Sequence, residues 1–185
     1  MSKDIWLNAN EETAGDLILT GYTGEFKNMP VYDEVISLTK SSEGHNQYAL
    51  DFGCGVGRNT RAMTKDYRKV VGFDLPSMIS LVPAENQSSN ILYTSDWSTV
   101  KSFKFDLVLA SLVFQHIEDS ELNEYLNDIS NITDKIVIHS RTWIDHSETK
   151  VLPILEKYFI MDSIEHTTDP NNPIDDHFIA VMRTK

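Results

Sequence analysis

The chain has 185 residues, 41% of them hydrophobic and 24% charged, and a formal net charge of −12. That length suits one domain with a full core, and a single cysteine excludes an intrachain disulfide framework. Phosphate backbones attract lysine and arginine, so an acidic chain is a poor default nucleic-acid binder.

The longest nearly apolar run, Phe105 to Phe114, is too short to cross a bilayer and contains Asp106. The start, Met1-Ser2-Lys3-Asp4, lacks the apolar core of a signal peptide, so a cytoplasmic location is expected. Residues 1–46 form an N-terminal segment. Its scattered apolar residues include Trp6, Leu17, Ile18, Tyr22 and Phe26, and Gly21 with Gly24 marks a turn. Met29-Pro30 opens a helical pattern with Val31, Val35 and Leu38 on one side. The segment reads as extra helix packed on a sheet, as a lid over a ligand mouth, or as both. The polar loop Ser41 to Asn46 leads into the main body, residues 47–185.

Tyr48 to Phe52 is a short apolar strand carrying Asp51, and glycines follow at 53, 55 and 57. Glycine tolerates positive φ, and a helix after the turn offers unpaired N–H groups to a ligand. The triplet Asp51-Phe52-Gly53 matches the kinase magnesium motif, but no His-Arg-Asp loop accompanies it. The glycine spacing is also not the G-x-G-x-x-G of dinucleotide folds. Arg58, Arg61 and Lys65 share one side of the next helix, and the plain reading is a solvated outer face.

Lys69 to Asp74 is a second strand ending in an acid, followed by a short helix from Pro76. A carboxylate at that tip suits a ribose diol. Asn90 to Trp97 reads as a third strand with Asp96 just past its end, and Phe105 to Ser111 as a fourth. Asp106 opens that fourth strand, away from any ligand rim, and reads as structural. Asp119 to Ile129 is an amphipathic helix, Lys135 to Ser140 a fifth strand, and Val151 to Tyr158 a helix. Phe159 to Glu165 and His177 to Arg183 are the last strands, with Thr167 to Ile174 as the loop between them. Only a loop joins that pair, so it is antiparallel. The whole is α/β: a doubly wound, mostly parallel seven-stranded sheet with an antiparallel last strand, in three αβα layers.

The pattern of Asp51 with Gly53, Gly55 and Gly57 resembles motif I of the class I S-adenosylmethionine-dependent methyltransferases. Asp74 then looks like the acid that holds the ribose, and Asp96 with Trp97 like the residues that meet the adenine. Phe105 to Ser111 is similar to motif IV, which places Ser111 beside the methionine part and the transferred methyl. Cys54 sits within the loop and counts among the cofactor contacts; its thiol reads as a small filler rather than a nucleophile. Asp96 equally reads as a helix N-cap, and Trp97 as core.

The resemblance implies S-adenosyl-L-methionine as cofactor and S-adenosyl-L-homocysteine as product. Acceptor contacts are expected from loops at the carboxyl ends of the strands. These select Phe114, Gln115 and His116, then Arg141, Trp143 and His146. His116 is the candidate base or acceptor-orienting group, and Arg141 with Trp143 suits a carboxylate-bearing acceptor. Asp145, His146, Asp175, Asp176 and His177 match no recognised metal-ligand spacing, so no metal is expected. The leading reading is an S-adenosylmethionine-dependent methyltransferase acting on a small-molecule acceptor; an RNA or protein acceptor and a non-catalytic cofactor-binding partner are the alternatives. The sequence leaves the oligomeric state undefined.

Overall fold

The computed structural model describes residues 3–19, 22–40, 47–142, 147–169 and 172–185. Seven strands make one sheet: β1 Tyr48–Phe52, β2 Lys69–Phe73, β3 Ile91–Thr94, β4 Leu107–Ser111, β5 Lys135–Arg141, β6 Phe159–Asp169 and β7 Asn172–Thr184. Their order is β3-β2-β1-β4-β5-β7-β6. Neighbouring pairs are parallel from β3 through β5, and β7 runs against both β5 and β6. This is the doubly wound sheet with one reversed strand that the sequence implies.

Alternation along each strand sorts side chains between two cores. Leu50 and Phe52 of β1, Val108 and Ala110 of β4, and Ile136 and Ile138 of β5 join one cluster. That cluster is covered by α6 (Trp97–Lys101), α7 (Asp119–Ser130) and α8 (Ser147–Leu155). Ala49, Leu107, Leu109 and Val137 belong to the other, beneath α3 (Asp33–Thr39) and α4 (Arg58–Met63). The amphipathic α7 buries Leu122, Leu126 and Ile129, spaced to share one side. A third, smaller cluster joins the N-terminal segment, with α1 (Lys3–Leu7) and α2 (Ala14–Ile18), to Val56 and to Met78 of α5 (Pro76–Ile79).

Several boundaries differ from the sequence reading. The fourth strand begins at Leu107, because the Asp106 carboxylate turns back to accept the backbone N–H groups of Gln47 (2.8 Å) and Tyr48 (2.9 Å). The third strand ends at Thr94, since Asp96 caps α6 instead of extending the ladder. Where the sequence predicts a loop from 167, the ladder continues to Asp169 opposite Asn172. β-Branched Thr167 and Thr168 favour extended backbone, and an antiparallel pair needs only a short connection. The helix expected from Val151 starts at Ser147 and ends at Leu155. The loop Ser41 to Asn46 and the turn residue Gly21 lie outside the described residues. Among the described residues no helix is long and apolar enough to cross a membrane.

Asp106 fixes the start of β1 beside β4, so Asp106→Ala removes two charge-assisted acceptors. The expected loss is about 1–2 kcal/mol, discounted for exposure, read as a lower denaturant midpoint with an unchanged slope. An unchanged midpoint contradicts this role.

Candidate active site

Three residues with left-handed backbone shape the loop after β1: Gly53 (φ 73°), Gly55 (φ 55°) and Gly57 (φ 82°). A Cβ on Gly53 would stand 2.4 Å from Val113, and one on Gly57 would stand 2.2 Å from the Tyr93 hydroxyl. The loop is tied to β2, because the N–H groups of Gly53 (2.8 Å) and Cys54 (3.1 Å) both donate to the Phe73 carbonyl. The Gly55 N–H then donates to Asp74 Oδ2 at 2.7 Å, and the Leu75 N–H to Asp74 Oδ1 at 2.6 Å. Each carboxylate oxygen keeps a further acceptor site. Burial pushes the Asp74 carboxyl up to about 6, against the pull of those two amides. It is therefore mostly ionised at neutral pH.

A pocket opens above this loop, with an empty volume of about 1060 Å³ counting its mouth. Gly53, Cys54, Gly55 and Asp74 line its base, and Phe73, Leu75, Tyr125 and Ile117 its apolar walls. Ser111, Leu112 and Val113 enter from the end of β4. Leu112 has a left-handed backbone (φ 58°), which costs a non-glycine residue roughly 1–2 kcal/mol. Trp6, Leu17 and Ile18 of the N-terminal segment close over the other side. Ile18 Cδ1 lies 3.2 Å from where a Gly55 Cβ would be, so a bare glycine keeps space between loop and cover.

The other motif residues fall in different places. Asp51 is 1% exposed, does not line the pocket, and accepts from Thr60 Oγ1 at 2.6 Å. Burial raises its carboxyl to about 6, while the Thr60 hydrogen bond and the Arg58 charge oppose that rise. Burial also holds the Cys54 thiol well above its ordinary range, so it is not thiolate. Asp96 is exposed, accepts from the Ser98 N–H and from the Ser98 and Thr99 hydroxyls, and does not line the pocket. Those bonds hold its carboxyl below the usual range. Trp97 packs edge-on against Phe52 and Tyr125 and donates Nε1–H to Asp128 at 2.8 Å, also away from the pocket.

On the far side, Ser111 Oγ lies 3.0 Å from His139 Nδ1, and His139 Nε2 lies 2.8 Å from His177 Nδ1. All three residues are at most 9% exposed, and Tyr32 packs on both rings. Burial first, then the charges of His177, Arg58 and Arg141, keep the His139 pKa well below its ordinary value, so it stays neutral. Gln115 lines the pocket; its Oε1 accepts from Ser140 Oγ (2.9 Å) and from the Arg141 N–H (3.0 Å). The Arg141 N–H can only donate, so Gln115 Nε2 must face His116 Nε2, 3.1 Å away. His116 therefore accepts at Nε2 and carries its proton on Nδ1, with Trp6 beside it at 5.4 Å between ring centroids.

Phe114 is buried against Phe52 and does not line the pocket. Arg141 lines it, while Trp143, Asp145 and His146 lie outside the described residues. Asp176 is exposed, and among the described residues no cluster of three metal-ligating side chains occurs.

The sequence reading missed several lining residues. Arg58 is corrected from a solvated face to the interior: it is 5% exposed and lines the pocket. Glu121 and Tyr125 enter from α7, four residues apart on one flank. That spacing was the available signal.

An acid and glycine loop at the tip of β1, an acid at the tip of β2 and a reversed β7 together make up a Rossmann-like fold of the kind found in methyltransferases. Residues 50–135 match a family model described as a methyltransferase domain. No curated protein matches the chain. The fold is similar to N-methyltransferase NodS from Bradyrhizobium japonicum WM9 in complex with S-adenosyl-L-homocysteine. That likeness has a TM-score of 0.68 and 15% identity, covering 82% of this chain and 84% of that one. A TehB-like S-adenosylmethionine-dependent methyltransferase from Corynebacterium glutamicum has a TM-score of 0.67 and 19% identity over 85% of this chain and 90% of that one. Magnesium protoporphyrin IX methyltransferase from Synechocystis PCC 6803, with bound S-adenosylmethionine, has a TM-score of 0.64 and 16% identity over 82% and 77% respectively. Residues 50–135 thus resemble a methyltransferase domain, and the fold is the one these S-adenosylmethionine-dependent methyltransferases share. Among those neighbours, one holds S-adenosylhomocysteine and another S-adenosylmethionine.

Asp51 gives a pH prediction. Its folded pKa is raised, so its proton stabilises the fold below about pH 4, and that contribution is lost as pH rises through 6. Asp51→Asn keeps the shape without the charge. Wild type is expected to lose on the order of 2–3 kcal/mol relative to this variant between pH 4 and 7. Parallel pH–stability curves contradict it.

Proposed function

We propose that this chain transfers a methyl group from S-adenosylmethionine to a small-molecule acceptor. The observation that carries the reading is the Asp74 carboxylate, fixed by the Gly55 and Leu75 amides where it lines the pocket. The residues fit the cofactor: Asp74 retains acceptor sites for a sugar diol, and the bare backbone from Gly53 to Gly55 admits a ligand against the main chain. Leu75, Phe73 and Tyr125 offer an apolar wall next to Asp74 for the base. Asp96 and Trp97 stand outside this pocket and are committed to capping α6 and packing α7.

When bound, the cofactor supplies a methyl on a sulfonium that is already a good leaving group. What the chain supplies is alignment and exclusion of water. Ser111, Gln115 and His116 border the acceptor side. Because Gln115 occupies its Nε2, His116 acts there as an oriented polar group and takes up a proton only after that bond breaks. The N-terminal segment serves as the cover, through Trp6, Leu17 and Ile18. A small acceptor also suits the net charge of −12. With Arg58 turned inward, only Arg61, Lys65 and Arg68 of the basic cluster are exposed for an RNA. Two structural neighbours, by their names, act on small molecules or nitrogen: magnesium protoporphyrin IX methyltransferase and N-methyltransferase NodS.

Calorimetry with S-adenosylhomocysteine tests the cofactor assignment. Wild type is expected to bind, and Asp74→Ala to weaken binding about 10–100-fold, the range for a hydrogen-bonded charge. No binding by wild type, or equal binding by the variant, refutes the assignment. Filter retention of RNA at low salt tests the acceptor class, and strong retention refutes the small-molecule reading. Trp6 in the cover is expected to change its emission when S-adenosylhomocysteine binds, and Trp6→Phe to abolish that change. A change that survives in Trp6→Phe contradicts the cover.

A further inference from the structure

We propose that Ser111, His139 and His177 form a proton relay, whose open end at Ser111 takes a proton from a ligand in the pocket. Strand register assembles it. Ser111 of β4 stands opposite His139 of β5. His177 of β7 stands opposite Arg141, the next residue but one after His139, so all three side chains project from one side of the sheet. The Ser111 oxygen lies 3.0 Å from His139 Nδ1, and His139 Nε2 lies 2.8 Å from His177 Nδ1. His139 and His177 are each 1% exposed, whereas Ser111 reaches the pocket.

Both nitrogens of His139 are engaged, and a neutral imidazole carries one N–H. The chain therefore has a direction, and two orders are open to it. In one, the Ser111 hydroxyl donates to His139 Nδ1 and His139 Nε2–H donates to His177. The serine oxygen then meets the pocket with lone pairs only. In the other, both bonds reverse, and Ser111 turns its own O–H outward. Passing from the first order to the second carries a proton inward and leaves His139 neutral. Charge on His139 is opposed by burial first, then by His177, Arg58 and Arg141. Tyr32 packs on both rings, and β6 places the uncharged Thr167 opposite His177.

The chemical step rests on the function proposed above. As the acceptor atom bonds to the methyl carbon, its bond to hydrogen breaks and that proton goes to the Ser111 oxygen. The Ser111 hydrogen goes to His139 Nδ1, and the His139 Nε2 hydrogen to His177 Nδ1. His177 ends as an imidazolium, which carries the positive charge that the sulfonium gives up. Asp176, the adjacent residue of β7, is exposed, and the proton returns to water from that end. His116 is not the base, because Gln115 occupies its Nε2. The acceptor class follows: its methylated atom bears a hydrogen, as in a hydroxyl or an amine N–H.

The test reads both rings by long-range proton–nitrogen NMR on protein labelled at histidine. In free wild type and in its S-adenosylhomocysteine complex, lowering the pH is expected to add a proton to His177. In the same transition His139 stays neutral and moves its proton from Nε2 to Nδ1. Ser111→Ala leaves the moved proton without an acceptor, so proton uptake by the pair weakens about 10–100-fold. Ser111→Thr keeps the hydroxyl and restores it. The complex is then given para-nitrophenol, a hydroxyl compound with acidity close to that of an imidazolium. Bound to wild type, it is expected to turn yellow as its anion while His177 gains the proton, and Ser111→Ala loses both signals.

The proposal is overturned if both rings keep one tautomer wherever the protein is folded, if His139 takes the charge itself, or if Ser111→Ala leaves proton uptake unchanged. Nitrophenol that binds without moving either ring overturns it too; if none binds, the pH titration decides. A wild type that binds no S-adenosylhomocysteine refutes the proposed function, and the titration of the free protein then decides the relay alone. If Ser111→Ala does not fold, Ser111→Cys, whose sulfur is a weak acceptor, takes its place.

Discussion

The bond from the Gly55 N–H to the Asp74 carboxylate, 2.7 Å long, organises this protein. Parallel pairing of β1 with β2 brings their carboxyl ends to the same rim. Left-handed backbone at Gly53, Gly55 and Gly57 folds the loop over that rim. The amides of Gly53 and Cys54 hold it to Phe73, and Gly55 reaches Asp74. Burial works against the Asp74 charge while two amides support it, so the acid titrates near 6 and remains an acceptor at neutral pH. The pocket walls come from separate strands and helices that meet around this fixed point.

Alternation across the sheet explains the polar interior. Asp51, Ser111, His139 and His177 fall on the side that also carries Ala49, Leu109, Val137 and Ile179. Buried polar groups are tolerated when they are hydrogen-bonded. Asp51 takes the Thr60 hydroxyl, and the two histidines form a chain with Ser111 across β4, β5 and β7. Tyr32, just before α3, covers that chain and also faces Arg58. The segment before β1 is thus part of the packing that shapes the pocket.

Much of the fold was legible from local chemistry. Strands at 48, 69, 107 and 135 announce themselves by continuous apolar runs, and the last pair by the lack of room for a crossover. Glycine spacing and the acid at 74 marked the pocket base. Arg58 was not legible, because helical spacing groups it with Arg61 and Lys65. That grouping cannot show that the first residue of a short helix after a tight loop turns beneath its own turn. Glu121 and Tyr125 were hidden for a related reason: the pattern of α7 identifies its buried stripe, Leu122, Leu126 and Ile129, but not which rim its flank reaches. Asp96 reads in sequence both as a ligand acid and as a cap. Serine and threonine at the next positions are what engage it.

The placement of Tyr93 has an evolutionary corollary. Its ring lies 2.6 Å from where a Cβ on Gly72 would be, and its hydroxyl 2.2 Å from one on Gly57. One aromatic residue on the third strand thus holds two distant sites to glycine. Descendants of this lineage that shrink position 93 are released to diversify 72, whereas 57 stays glycine through its left-handed backbone as well.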